Sequence, residues 1–479
     1  MLGPTLFLVC YFWMPNVATT GDVGPAGDRS AAAVAGVLCL MGIWWMTEVL
    51  PLYVTALIPL VAFPLLQVTT IDGAAAPYAN KIIFLFLGGF VLAMAMERWN
   101  LHRRVAIWVV LLVGSKPRAI IFGFMLATSF VSLWVSNTAT AVMMLPIATS
   151  VLKLVESVTK RKDKKFQVAM VLSIAYGASI GSFGTPIASP PNAIALGYLS
   201  DQGITITFFE WMKLGMPLWA VFLVIGWVLL AFVASPPESN AAIPGHKEIL
   251  RAELAKLGRF EGPELRVGVI FLACALAWML HGFIEGLLDW KNSGISDELI
   301  AVLVIFALFL TPISFRRPGH GLMNWSDLRG LPWGILYLFG GGLSIAAQVG
   351  ASGLAVWIGE RAEGLSHLPL FWLILACCAL TWIITEFMSN TAAAATLIPI
   401  FGSVAVALGY SEIMLALPVA LAASCAFMMP AGTPPNAVAY SSGMIKIGDM
   451  NRSGVLIAIA AVIMVSITMF FWGRFVFGL

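Results

Sequence analysis

The chain has 479 residues, a formal net charge of +3, 60% hydrophobic and only 11% charged side chains, with a mean hydropathy of +0.93. Water-facing domains carry about 25% charged residues, so the composition excludes an ordinary soluble globular protein. The small net charge gives no footing for nucleic acid.

Apolar runs punctuated by Pro, Gly and charge predict a multi-pass helical membrane protein, integral to the plasma or inner membrane. In chain order the candidate segments are 3–14, 31–49, 52–68, 80–113, 119–156, 166–200, 207–234, 266–288, 298–313, 333–360, 368–408, 412–442 and 453–477. Leu6 to Met14 lacks the basic region and cleavage site of a signal peptide and reads as a short first span. The six cysteines (Cys10, Cys39, Cys274, Cys377, Cys378, Cys425) fall within or beside apolar runs. Without metal-ligand spacing or paired histidines they read as small buried residues, not as a disulfide framework.

Two polar connections interrupt the apolar pattern. One is KRKDKK at 160–165; the other runs from Ser235 to Arg266 and contains Lys247, Arg251, Lys256 and Arg259. Basic loops stay in the cytoplasm, which places both on that side. Segment 119–156 lies between GSKPR (114–118) and KRKDKK, so both ends are expected on the cytoplasmic face. It is too long for one span and holds Ser136-Asn137-Thr138 near its middle. A re-entrant hairpin is the expected form, tolerated where it is buried in protein or lines a cavity. Segment 368–408 also holds a central SNT, Ser389-Asn390-Thr391, and its flanks, AEGLSHLP and LGYSE, carry no Lys or Arg. One hairpin is therefore expected from each face.

The chain repeats itself once. FLFLGGFVLA (84–93) resembles LYLFGGGLSIA (336–346), and SLWVSNTATAVMMLPI (132–147) matches TEFMSNTAAAATLIPI (385–400) at an offset of 253. Further on, Ala188-Ser189-Pro190-Pro191-Asn192 pairs with Gly432-Thr433-Pro434-Pro435-Asn436, and the Gly-Thr-Pro at 184–186 is a decoy. The double proline removes an N–H and clashes with the preceding turn, so each pair breaks a helix. The broken helix frees carbonyls for which a sodium ion is a suitable partner. Two halves of opposite sidedness form the inverted-topology repeat of secondary transporters, with the substrate site near the midplane where the halves meet.

The motifs are rich in neutral polar groups. Ser132, Ser136, Thr138, Ser189, Thr385, Ser389, Thr391 and Thr433 bring hydroxyls; Asn137, Asn192, Asn390 and Asn436 bring amides. Oxygens suit hard cations such as Na⁺ or Mg²⁺, while amide N–H groups and helix N-termini suit an anion. A duplicated site with both sets could seat two cations around one anion charged at each end, as a dicarboxylate is. A lone SNT is more simply read as a hydroxyl bonding back to its own helix or a small residue at a helix contact. That reading does not account for four motifs in matching order. Gly88-Gly89 and Gly340-Gly341-Gly342 read as close helix contacts. Glu48 and Glu386 read as buried carboxylates, for which a functional and a structural role are equally open.

The SNT pair and the SPPNA/TPPNA pair resemble the divalent anion/sodium symporter family, the INDY-like dicarboxylate, citrate and sulfate transporters. The likeness covers nearly the whole chain. It implies an all-α polytopic protein with about 11 transmembrane helices, two re-entrant hairpins and two broken helices. It also implies a homodimer in which an elevator-like transport domain moves against a scaffold. The corresponding division is 1–113 (first scaffold helices), 114–200 (first hairpin and broken helix), 201–265 (linking helix and basic loop), 266–361 (second scaffold helices), 362–442 (second hairpin and broken helix) and 443–479 (final helix). By the resemblance, one sodium site uses Ser132, Ser136, Asn137 and the backbone at Ala188; the other uses Thr385, Ser389, Asn390 and the backbone at Gly432. Substrate carboxylates meet Asn137, Thr138, Ser189, Pro190, Asn390, Thr391, Thr433 and Pro434. Position 188 departs from the family's commoner glycine, but its carbonyl remains.

The function expected is sodium-coupled import of a C4-dicarboxylate such as succinate, malate or fumarate, with two sodium ions and no organic cofactor. Alternatives within the family are a sodium-independent dicarboxylate exchanger or a citrate or sulfate transporter. An ion channel would need a carbonyl-lined filter repeat, and a primary pump a G-x-x-x-x-G-K-[ST] loop and a sizeable soluble domain. The chain has neither. An intramembrane enzyme is disfavoured because His102, His246, His281, His320 and His367 all lie outside the motifs.

Overall fold

The computed structural model describes residues 2–18, 25–160, 162–287, 294–314 and 320–479. Arg161 of the basic loop and residue 288, the expected end of one apolar segment, lie outside the described residues. Apart from one isolated bridge, Pro312 with Gly321, the described residues are helical or irregular.

The helices used below are α1 (Leu2–Trp13), α2 (Ser30–Thr47), α3 (Lys81–Arg98), α4 (Leu101–Leu112), α5 (Pro117–Ser132), α6 (Asn137–Thr159), α7 (Lys164–Gly181), α8 (Pro190–Asp201), α9 (Phe208–Val228), α10 (His246–Lys256), α11 (Pro263–Leu287), α12 (Asp297–Leu310), α13 (Trp333–Ala351), α14 (Leu354–Ala362), α15 (Leu370–Thr385), α16 (Asn390–Ala407), α17 (Ile413–Ala422), α18 (Pro434–Ser441) and α19 (Ile447–Ile467). Eight helices among the described residues are long and apolar enough to cross a membrane, against the eleven or so expected. Several of the remaining apolar helices, α5, α15 and α17 among them, are shorter. An arm that turns back inside the bilayer needs only part of the ~20 residues of a full span.

Both SNT segments sit at tight turns between helices. α5 ends at Ser132 and α6 starts at Asn137; α15 ends at Thr385 and α16 starts at Asn390. Ser136 (φ −49°, ψ 129°) and Ser389 (φ −57°, ψ 131°) take the same extended conformation before the second arm. Each second arm carries an interior proline, Pro146 and Pro399, whose carbonyl accepts the hydroxyl of Ser150 and Ser403 respectively. These partners are again 253 positions apart, so the repeat holds at the level of single hydrogen bonds.

The double prolines begin helices instead of sitting inside them. Pro190 and Pro434 occupy the first helical position, where the missing N–H has no helical partner in any case. Ser189 (φ −147°, ψ 138°) and Thr433 (φ −143°, ψ 148°) precede them as matching N-caps. Upstream the chain is unwound from Ser182 to Ser189 and from Ala423 to Thr433, apart from one 3-10 turn at Pro186–Ala188. The Gly184-Thr185-Pro186 decoy falls inside the first unwound stretch. At the offset of 244 it faces Met428-Met429-Pro430.

The first hairpin packs on α7 and on α18 of the other half; the second packs on α17 and on α8. The ends also match across the halves. α7 begins where α18 is followed by Met444, whose carbonyl accepts Lys164 Nζ (2.7 Å) and Gln167 Nε2 (2.6 Å). α8 ends beside the start of α17: Tyr198 and Gln202 share a cavity wall with Glu412.

The remaining helices approach their neighbours closely at the glycines. A Cβ on Gly88 would lie 2.5 Å from the Ala301 carbonyl oxygen, and one on Gly89 would lie 3.2 Å from Ile187. Gly340, Gly341 and Gly342 meet Tyr78, Ala56 and Ala395. The segment 80–113 divides at Asn100, whose φ of 57° is left-handed, and 333–360 divides at Gly353 (φ 82°).

One element departs from the expectation of an unstructured polar connection. Residues 246–256 form α10, with His246 and Leu250 buried four positions apart. Its charges face the neighbouring helices: Arg103 of α4 donates to Glu253 at 2.8 Å. Close by, Arg104 meets Glu264 through two bonds of 2.6 and 2.9 Å and donates to the carbonyls of Leu257 and Gly258. Charge masked the helical period in the sequence.

Candidate functional site

Four helix N-termini converge on one cavity of about 870 Å³. Its wall includes Ser136, Asn137 and Thr138 at the start of α6, and Ser189 and Pro190 at the start of α8. From the other half come Ser389, Asn390 and Thr391 at the start of α16, and Thr433 and Pro434 at the start of α18. All eight residues expected to meet substrate line this one space, as do Ala188 and Gly432. The starts of α6 and α16 present unpaired N–H groups, and α8 and α18, whose first two residues are prolines without an N–H, add the positive end of a dipole, so the centre of the cavity favours an anion.

Four helix C-termini lie just behind: α5 at Ser132, α7 at Gly181, α15 at Thr385 and α17 at Ala422. Carbonyls and negative dipole ends favour cations there. Ser132 and Thr385 are fully buried and are not part of the cavity wall. In the second half Thr385 Oγ1 lies 2.7 Å from Asn390 Oδ1 and 2.9 Å from the Ala423 carbonyl, so its one proton serves either acceptor and three oxygens are drawn together. In the first half Ser132 Oγ, Asn137 Oδ1 and Ser179 Oγ are all buried without a hydrogen-bond partner. Uncommitted buried oxygens are costly, and a hard cation coordinated by oxygens would satisfy them. The donor set fits sodium in both halves. Among the described residues no three His, Cys, Asp or Glu side chains gather as a metal cluster.

The unwound stretches are held by the two later asparagines. Asn192 Nδ2 donates to the carbonyls of Ser182 (2.8 Å) and Thr185 (3.1 Å). Asn436 Nδ2 donates to those of Ala426 (3.2 Å) and Met429 (3.0 Å). The sequence separations, ten and seven residues, are identical in the two halves. Four of the carbonyls freed by the helix breaks therefore have amide partners, and these did not need the sodium partner that the sequence reading offered them. Thr185 of the decoy donates to the Leu133 carbonyl at 2.5 Å, tying the first hairpin tip to its unwound loop.

The second half makes this tie with a charge. Glu386 Oε1 accepts from the N–H groups of Phe427 (3.0 Å) and Met428 (3.1 Å), and Oε2 accepts from Met429 (3.1 Å). Trp382 Nε1 adds a fourth donor. Glu386 is buried, as expected, and anchors the second unwound loop to the hairpin. Glu48 does not follow the expectation: it is exposed, ends α2 with a left-handed φ of 47°, and lies on the cavity wall. The strongly apolar run before it made it look buried, but it lies one residue beyond the helix end and faces the cavity.

Ser179, Ser182 and Ser424 were not singled out from sequence, yet all three line the cavity. Ser182 Oγ accepts from Asn137 Nδ2 (2.8 Å), and Ser424 Oγ lies 3.1 Å from Ser189 Oγ. Their only sequence signal is a small polar residue in or just after a buried helix next to a helix break.

Residues 24–479 match the model of the family described as the sodium:sulfate symporter transmembrane region. The sodium-dependent dicarboxylate transporter SdcS of Staphylococcus aureus strain USA300 is 36% identical over 487 residues, covering 100% of this chain and 91% of that protein. The same transporter from strain NCTC 8325 gives the same identity and coverage. Among solved structures, the Alcanivorax borkumensis YdaH transporter superposes with a TM-score of 0.60 at 15% identity, covering 90% of this chain and 98% of that one. Neisseria gonorrhoeae MtrF gives 0.58 at 13% identity, with 96% of both chains covered; both likenesses concern the fold alone. With the family model spanning nearly the whole length and a full-length relative at this identity, the chain belongs to the sodium:sulfate symporter family.

Proposed function

We propose that the protein is a sodium-coupled symporter that imports C4-dicarboxylates such as succinate, malate or fumarate. The observation that carries this reading is the pairing of four helix N-termini around one cavity with buried oxygens in both halves, uncommitted in the first and drawn together at Thr385 in the second. An anion with a carboxylate at each end would span the two halves, each end meeting one SNT and one S/T-P-P start. The carboxylates would be met by Asn137, Thr138, Ser189 and Pro190 on one side and by Asn390, Thr391, Thr433 and Pro434 on the other. Sodium would enter the first seat through Ser132, Ser136, Asn137 and the carbonyl at Ala188, and the second through Thr385, Ser389, Asn390 and the carbonyl at Gly432. Two seats are the number that the duplicated motif supports. The dicarboxylate preference is supported by the sodium-dependent dicarboxylate transporter of similar sequence.

The exchanged packing of hairpins and half-helices supports an inverted repeat, in which 114–200 and 362–442 move together against helices from 1–113 and 266–361. An elevator motion and a homodimeric scaffold belong to the same reading. Coupling needs no covalent step, so no catalytic residue is assigned. Sodium in each seat bridges hairpin tip and unwound loop, fixing the helix N-termini and adding positive charge beside the anion. The reciprocal must hold, with dicarboxylate raising sodium affinity by the same factor.

Purified protein in liposomes is expected to accumulate labelled succinate under an inward sodium gradient and to lose uptake when potassium replaces sodium. Uptake that ignores sodium and requires internal dicarboxylate would instead make it an exchanger. Asn137→Ala and Asn390→Ala should each reduce uptake at least about five-fold in folded protein, the loss expected when a buried partner is left unpaired at a cost of about 1–3 kcal/mol. Wild-type uptake in both variants would refute the site assignment.

A further inference from the structure

The two SNT asparagines are held differently. Asn137 Nδ2 donates at 2.8 Å to Oγ of Ser182, the residue 45 positions later that caps the C-terminus of α7. That bond fixes the amide plane and leaves Oδ1 buried without a partner, in the same state as Ser132 Oγ and Ser179 Oγ. Asn390 is arranged the other way. Its Oδ1 accepts from Thr385 Oγ1, while its Nδ2 has no protein partner among the described residues. The position matching Ser182 at the 244-residue offset is Ala426, which has no hydroxyl. The restraint therefore exists in one half only.

An amide offers a cation its oxygen and repels it with its N–H groups. A free amide must lose rotational freedom to present oxygen to sodium; one already tethered through nitrogen has made that sacrifice on folding. We propose that Ser182 is a positioning residue for the first sodium seat, holding the Asn137 oxygen inward and making the two seats inequivalent. The first seat is preorganised before sodium arrives. In the second, the Thr385 hydroxyl must first turn its proton from Asn390 Oδ1 to the Ala423 carbonyl before both oxygens can face sodium, and the Asn390 amide has no tether through nitrogen, so this seat fills at higher sodium. Ser182 lies on the cavity wall, and the role proposed for it is exerted through its bond to Asn137. The inference rests on the symporter reading, and the test separates the two.

The probe is sodium alone, titrated into purified, dicarboxylate-free protein, with the rise in melting temperature as readout. Succinate half-saturation is then measured in liposomes at saturating sodium. Ser182→Ala should raise the half-saturating sodium concentration about five-fold, the net worth of one neutral hydrogen bond, and leave succinate half-saturation at saturating sodium within two-fold of wild type, about the measurement scatter expected for an uncoupled site. Ser182→Cys, close in volume but a weak acceptor, should shift sodium in the same direction and decides the matter if the alanine variant folds poorly. Ser150→Ala, which removes a hydroxyl bonded within its own helix, should leave the sodium curve unchanged. Unaltered sodium titrations in both Ser182 variants would overturn the proposal. So would a weakened succinate affinity with unchanged sodium dependence, since Ser182 would then serve the anion and not the sodium seat. A wild-type protein with no response to sodium would defeat the symporter reading itself.

Discussion

Glu386 and Leu133 occupy matching positions at the two hairpin tips, and they show how a repeat can keep its geometry while changing its chemistry. In the first half, the Leu133 carbonyl takes the Thr185 hydroxyl. In the second, the Glu386 carboxylate takes three successive N–H groups from Phe427 to Met429. Glu386→Gln keeps one acceptor oxygen but turns an amide NH₂ toward N–H donors, leaving at least one buried donor unsatisfied. The expected cost is about 1–3 kcal/mol, seen as a lower melting temperature together with reduced sodium-dependent uptake. An unchanged melting temperature would show that the loop does not depend on this carboxylate. The sequence made Glu386 visible as a charge beside a motif but could not choose its role, because three of its four donors are backbone groups of residues 427–429, far downstream. Ser182 escaped notice for the same physical reason: a serine has no signature until the fold supplies its partner. The SNT and S/T-P-P-N residues were legible because they break local rules, placing polar groups and prolines where apolar helix would otherwise run.

At the scale of elements, helix breaks were easier to read than helices. Prolines 190 and 434 marked where the segments 166–200 and 412–442 break, and the structure puts each at the first position of a new helix, the one inexpensive place for proline. α10 was missed because its apolar stripe is narrow and its other positions are charged. That makes it a helix held by its surroundings, and its docking should be sensitive to acid. Burial holds the His246 imidazole below the usual 6.5. The undocked segment therefore takes up a proton near that pH while the docked one does not, and docking weakens as pH falls through about 6.5. The Lys256 ammonium, with Arg103 beside it, holds the Glu253 carboxyl below its usual 4.5. Its contribution is intact above that value and is lost as pH falls through the lower, docked value. Amide exchange in 246–256, corrected for the intrinsic pH dependence, should rise between pH 7.5 and 5.5 and again below pH 4.5. A flat profile, or one matching the apolar helices, would show that α10 is held by Leu250 and its neighbours alone.

For the whole molecule, the cavity is lined unequally. Besides the motif residues, its wall includes Glu48 and Tyr53 after α2, Met94 and Glu97 at the end of α3, and Gly330 and Pro332 before α13. These belong to one face. Trp99, just past α3, bonds the Leu322 carbonyl, and Arg98 pairs with Asp327. Arg266, at the start of α11, donates to the Pro312 and Ile313 carbonyls in the same connection. Arg266 closes the basic stretch from 235 to 266, so the cavity wall reaches the face carrying the basic loops. On the opposite face α14 packs against α16, closing the second hairpin over the site. On the rule that basic loops remain in the cytoplasm, we propose that this arrangement faces inward. A cysteine at Gly330, an exposed position on that wall, should react with a membrane-impermeant maleimide in inside-out vesicles and stay protected in intact cells, measured against the six natural cysteines as baseline. Labelling from the outer face alone would reverse the assigned orientation, and with it the assignment of the first hairpin to the cytoplasmic side. Equal labelling from both faces would mean that the arrangement exchanges faster than the reagent reacts, with neither face favoured.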